Sequence, residues 1–453
     1  MMSCLLDWHS KLVTANLADT SGECQHESPR PRRLGVVAPR DPPEPRTGYS
    51  RSQRHDVTLL ALLRGGSFLG DSVALVALFL RVAPRGHSWA IAALAVAGSL
   101  PLVLLAPLAG HVVDRVRAKP LLSALGVVEG VICVGLGYWH GLAATIGLMG
   151  LLSVAVAFSM PGYGALLPAV VGDANVARVQ GLMQAVQGVA NVAGPAVGGL
   201  LVGVAGQSWP LYLDAASFAL AGALTTLVRH DRRPSPAIAL AHATSGGPMG
   251  GVTHVWRDDV LRPLLANVVV FMLAIGMINV AEVFFITRTL HGSALAYGLV
   301  GTSFGLGSVA GALGAGRLRQ GPMSLATSLS VAVVVVGVAI GAVGLVTRVD
   351  LVYPLLLLAG AAVGVANVAA MTLFTLRTPD HLRGRVFATL NAAVSGAEIS
   401  SMAAGGAILV LVAPRTVFQI GGVAATASTL ILGPLALRAS RRAHSLEAAS
   451  GAT

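Results

Sequence analysis

The 453 residues are 54% hydrophobic and 11% charged, so the chain cannot supply the polar surface that a soluble domain of this size requires. The net charge of +11 does not read as nucleic-acid binding, because the basic residues sit in the N-terminal tail and at the ends of apolar runs, where membrane topology accounts for them. Cysteine is limited to Cys4, Cys24 and Cys133, two in polar sequence and one in an apolar run, so no disulfide framework or metal site is implied.

Residues 1–56 are rich in Pro, Arg and Ser, with the run Pro29-Arg30-Pro31-Arg32-Arg33. They show no apolar period and are expected to form a disordered, dispensable cytoplasmic tail. No apolar segment follows the basic residues in the way a signal peptide requires. From Val57 onward, spans are predicted at 57–82, 89–112, 120–140, 142–167, 176–204, 208–229, 261–287, 293–316, 323–346, 351–375, 384–411 and 416–437. Each is near the ~20 residues needed to cross the hydrocarbon core as a helix, and all are too long for barrel strands. The longest polar break after the tail, 230–256, divides twelve spans into six and six. The expectation is an all-α polytopic membrane protein. A six-helix bundle over 57–229 is followed by a cytoplasmic linker over 230–260, a second bundle over 261–438 and a cytoplasmic tail over 439–453, a parallel-repeat plan. The 54 glycines suit helices whose backbones approach closely.

Arginine and lysine set the orientation. With the N-terminus inside, the outer connections hold only Arg81, Arg85, Arg288, Arg348 and Arg415, whereas most basic residues outside the tail fall on the other side. Both termini are therefore expected in the cytoplasm. Lys11 and Lys119 are the only lysines among 31 basic residues, a coding bias of GC-rich bacteria, so the expected location is a bacterial cytoplasmic membrane.

Ionisable residues inside the spans are the sharpest functional clues, since a bilayer makes them costly. Arg64 and Asp71 are seven residues apart, two helical turns, and share a face of the first span. Removing a carboxylate from water favours its neutral form, so proton and substrate can compete at Asp71. Glu129 and Glu398, also mid-span, are the other candidates for proton coupling; a fixed ion pair between Asp71 and Arg64 is the structural alternative. Arg64, Glu282 and Asn279 are candidates for contact with substrate. Asp214, near the outer end of its span, reads as structural. No phosphate loop with its lysine is present, and no cofactor or metal site is indicated.

Two short motifs add specificity. The second span ends in Gly110-His-Val-Val-Asp114-Arg115-Val-Arg117-Ala-Lys119, an acid–base cluster able to latch neighbouring helix ends. The fifth carries Gly194-Pro195-Ala-Val-Gly198-Gly199, where proline weakens the helix ladder and glycine permits close packing. The first resembles motif A of the major facilitator superfamily through Gly110, Asp114, Arg115 and Lys119, with Arg117 and Ala118 departing from the pattern. The second resembles motif C of that superfamily's antiporters. Leu166-Leu-Pro168 with Arg178, and Leu382-Arg-Gly384-Arg385-Val386-Phe387, are similar to the drug and siderophore exporter branch. The equivalent loop of the second half, Gly316-Arg317-Leu-Arg319, lacks the Asp.

The resemblance implies a transporter and not an enzyme: a proton-coupled exporter of a small hydrophobic or amphipathic solute, acting by alternating access. Its partners would be that solute, protons and membrane lipid, with a monomer as the working unit. An uptake symporter, and a non-transporting sensor or scaffold, are the competing readings.

Overall fold

The computed structural model describes residues 51–85, 88–171, 176–228, 249–317, 321–379 and 382–450. Twelve helices among them are long and apolar enough to cross a membrane. These are α1 (Arg51–Val82), α2 (Ser88–Arg115), α3 (Ala118–Tyr138), α4 (Leu142–Val171), α5 (Val176–Ala205) and α6 (Trp209–Leu227). After the short α7 (Met249–Arg257) come α8 (Leu261–Phe284), α9 (Ala294–Ala315), α10 (Pro322–Val343), α11 (Val352–Arg377), α12 (Arg383–Leu411) and α13 (Pro414–Ser450). Among the described residues there is no strand.

Several helices outrun the apolar stretches that announce them. The last helix runs to Ser450 instead of ending near 437, because the polar segment after Arg438 is made of good helix formers such as Ala, Leu, Arg and Glu. Likewise α2 includes Asp114 and Arg115 in its final turn, so the first motif lies on helix ends and only Val116 and Arg117 connect them. Side-chain caps set two starts. Asp258 Oδ1 accepts from the N–H groups of Val260 and Leu261 (2.8 and 2.9 Å) at the head of α8, and Ser293 Oγ accepts from Ala296 N–H (3.2 Å) at the head of α9, satisfying donors a helix start leaves free. Residues 1–50 of the N-terminal tail, 229–248 of the linker and 318–320 in the arginine-containing loop of the second half lie outside the described residues.

Within the first six spanning helices, α1 packs on α5 and α6, α3 on α4 and α6, and α2 on α4. Six spans later the same pattern recurs: α8 packs on α12 and α13, α10 on α11 and α13, and α9 on α11. Two seams, α5 with α9 and α2 with α12, join the sets. Large apolar side chains face outward, Leu411 and Val204 being 84% and 81% exposed, as a lipid-facing surface permits.

The two faces of the bundle differ in charge. One collects the connections around residues 83, 140, 207, 291, 346 and 413; the other, with 116–117, 249–260, 317 and 378–379, carries most of the described arginines at helix ends. The named contacts between the two sets of six lie toward the arginine-poor face. Ser88 Oγ donates to Gly406 C=O (2.9 Å), and Arg288 Nη2 to Ala83 C=O (2.5 Å). Gly199 and Gly298 meet backbone to backbone.

Candidate transport site

Polar groups of the first six spanning helices converge on α1. Asp71 is half-buried and lines a cavity of about 180 Å³ enclosed by α1, α2, α3, α4 and α6; Asp214 of α6 lines the same cavity. Gly70, next to Asp71, has no side chain, and Asp214 Oδ1 occupies the space a Cβ would take. That close approach brings the two carboxyl groups to one space. Asp214, 1% exposed, accepts from Ser217 Oγ (3.2 Å) and Cys133 Sγ (3.5 Å). Glu129 is buried on α3 and accepts from Ser159 Oγ of α4 (2.8 Å). Asp71 has no hydrogen bond or ion pair to a described residue.

Arg64 points elsewhere than the shared helical face suggests. Its guanidinium lies over the rings of Phe68 and Tyr163, 4.2 and 4.9 Å from their centroids, a cation–π cradle. It remains within electrostatic reach of Asp71 and Glu129 without an ion pair to either. Two carboxyl groups, Asp71 and Glu129, therefore share the field of one guanidinium. Arg64 lines its own cavity, about 130 Å³, together with Gln180, Gln184 and Gln187 of α5.

The second half holds a counterpart. A cavity of about 140 Å³ among α8, α10, α11 and α12 is lined by Asn267, Asn367 and Asn391 with Phe271, Met371 and Phe374. Asn267 is buried and accepts from Thr429 Oγ1 (3.2 Å). Glu282, Asn279 and Glu398 border none of these three cavities. Glu282 is half-buried within electrostatic reach of Tyr297, Asn279 is exposed, and Glu398 is half-buried on α12, where its backbone carbonyl faces Gly276. The sequence signal for the cavities was present but unread. Gln180, Gln184 and Gln187 stand at i, i+4 and i+7, one stripe of α5.

Both motifs occupy helix contacts. Lys119 Nζ donates to Val228 C=O just past α6, while the space beside Gly110 is open. Gly194 and Gly198 receive α1 at Ser72 and Val73, whereas Pro195 and Gly199 receive α9 at Gly298 and Ala294. Thr302 of α9 completes the seam. Its hydroxyl accepts from Ala196 N–H (3.1 Å) and donates to Val192 C=O (2.7 Å), one turn apart on α5. Arg81, counted with an outer connection in the sequence, is instead 3% exposed and donates to the carbonyls of Leu136 and Gln207, tying α1 to the ends of α3 and α6.

Twelve spans joined at two seams, with equivalent cavities six spans apart, define a membrane transporter of the major facilitator superfamily. A family model described as transmembrane secretion effector matches residues 68–451, and the chain belongs to that family. It is 27% identical over 346 residues to the multidrug efflux pump Tap of Mycolicibacterium fortuitum, covering 72% of this chain and 82% of that one. It is also 27% identical over 293 residues to the enterobactin exporter EntS of Citrobacter koseri, covering 63% and 65%. In solved structures the fold recurs in a bacterial homologue of the human lysosomal transporter Spinster, with TM-score 0.63, 14% identity, and coverage of 87% and 98%. The nucleoside transporter NupG matches with TM-score 0.65, 11% identity, and coverage of 84% and 99%.

Proposed function

We propose that the protein is a proton-coupled exporter of a small hydrophobic or amphipathic solute, a drug or siderophore, working as a monomer in a bacterial cytoplasmic membrane. Export is supported by the efflux and siderophore exporters among its relatives and by the second glycine–proline motif. The arginine-rich face is the cytoplasmic one, so both termini are cytoplasmic and the described conformer is open toward the cytoplasm.

The observation that carries proton coupling is Asp71. Its carboxyl group reaches a cavity, lacks a fixed partner among the described residues, and shares that cavity with Asp214. A carboxylate tied into an ion pair would gain little from a proton; an unpaired one in a low-dielectric span exchanges it for a large change in local charge. Glu129 and Glu398 are the other carboxyl groups proposed to serve coupling, Arg64 to meet substrate in the described conformer, and Glu282 and Asn279, which border none of the three cavities here, to meet it once the helices have rocked. In alternating access the two sets of six helices rock about the α5–α9 and α2–α12 seams.

The test is accumulation of a drug panel in everted membrane vesicles with and without an imposed proton gradient. Wild type should accumulate drug when the gradient is imposed, and Asp71→Asn should not. Gradient-driven accumulation that survives in Asp71→Asn moves coupling to Glu129, Glu282 or Glu398. Uptake only into right-side-out vesicles would replace export with import.

A further inference from the structure

The two amide-lined cavities hold information about substrate charge. One lies among α1, α4 and α5, the other among α8, α11 and α12 with α10 behind. Spans one, four and five thus correspond to spans seven, ten and eleven, the same places in the repeat. Both cavities lie toward the arginine-rich face, where the α5–α9 seam has run out. Gly305 still meets Asn191 and Val192, but a Cβ at Gly188 would meet nothing.

Gln180, Gln184, Asn367 and Asn391 are exposed although they sit within spanning helices. An amide facing lipid would leave its donors and acceptors unsatisfied. These four therefore face an aqueous vestibule that a ligand can enter. Their chemistry is neutral, each offering both donors and an acceptor. Among the described lining residues of the two cavities the single charged side chain is Arg64, and neither cavity is lined by a carboxylate. Asp71 and Asp214 open onto the separate third cavity, and Glu129 is turned into the α3–α4 contact by Ser159.

We propose that these cavities are the two walls of one substrate site selective for uncharged and anionic aromatic solutes and closed to organic cations. The amides bind polar groups along the solute, Tyr163 and the exposed Met371 contact its rings, and Arg64 pairs with an acidic group while repelling a cation. This rests on the transport reading above, but charge selectivity can be measured without transport.

Single cysteines at Gln184 and, in the other half, at Asn367 are placed in a background carrying Cys4→Ser and Cys24→Ser, with labelling of buried Cys133 subtracted. Each is modified with anionic sulfonatoethyl or cationic trimethylammonium-ethyl methanethiosulfonate, and rates are normalised to a free thiol. The anionic reagent should be favoured at Gln184→Cys by roughly tenfold, and adding Arg64→Gln should abolish the preference. Fluorescein, an anion, should protect both cysteines; tetraphenylphosphonium should not. A cationic preference at both sites, or protection by tetraphenylphosphonium alone, overturns the proposal. If neither probe protects, the reagent preference and its dependence on Arg64 decide. Anion preference with failed vesicle export would retain the site and remove the exporter reading.

Discussion

Thr302→Val removes one hydroxyl from the α5–α9 seam while keeping the side chain's shape. The hydroxyl makes two hydrogen bonds across the two halves, 3.1 Å from Ala196 N and 2.7 Å to Val192 C=O. Interhelical hydrogen bonds within membranes average about 0.6 kcal/mol each. Losing both should weaken the conformer closed at the arginine-poor face by about 1.2 kcal/mol, a roughly eightfold shift toward its opening. Spin labels at Val204 and Leu345, 81% and 67% exposed at the arginine-poor ends of different halves, report the separation of those ends by pulsed dipolar spectroscopy. The long-distance population should grow in Thr302→Val and return toward wild type in Thr302→Ser. An unchanged distribution in Thr302→Val would refute the bridge as a latch.

Further substitutions test the packing that surrounds the site. Gly70→Ala drives a methyl group into Asp214 and Ser217 and should destabilise by about 1–3 kcal/mol, seen as a lower melting temperature in detergent; an unchanged melt would contradict the α1–α6 contact. Arg81→Leu strips a charged donor from the Leu136 and Gln207 carbonyls, at about 1–3 kcal/mol for each buried acceptor left unpaired. Arg348→Ala, which breaks an exposed ion pair to Asp350 (2.9 Å), should stay within about 1 kcal/mol of wild type in the same melt. Lys119→Met frees the carbonyl of Val228 and should raise amide exchange at the end of α6, with Lys119→Arg restoring protection.

The spans were legible because their apolar length leaves few alternatives, and the structure places a helix over every stretch assigned one. What did not follow from the sequence was direction. In a soluble helix the apolar stripe marks the buried face, but lipid is as apolar as a protein core, so both sides of these helices read alike. That is why Arg64 and Asp71, correctly spaced to share a face, line different cavities. For the same reason Arg81 reads as a loop charge although it caps two helix ends inside the protein. The second motif was readable as close packing, but not that its four marked residues alternate between two partners. Asp214, assigned a structural part from its position, shares a cavity with Asp71 through a neighbour with no side chain.

Helix α9 presents glycines to two neighbours at once. Gly298, Gly301 and Gly305 lie against α5, while Gly307 and Gly311 lie against the backbone of α11 at Leu357 and Ala361. Each added residue turns a helix by about 100°. One residue inserted after Gly305 would therefore carry Leu306 into the slot of Gly307 and Ala310 into that of Gly311. No side chain fits where backbone already stands, so the stretch from Gly298 to Gly311 has a fixed length. Related chains can lengthen or shorten the connections at either end of α9, but an insertion or deletion inside it would force a choice between the contact that joins the two halves and the one that holds the second half together.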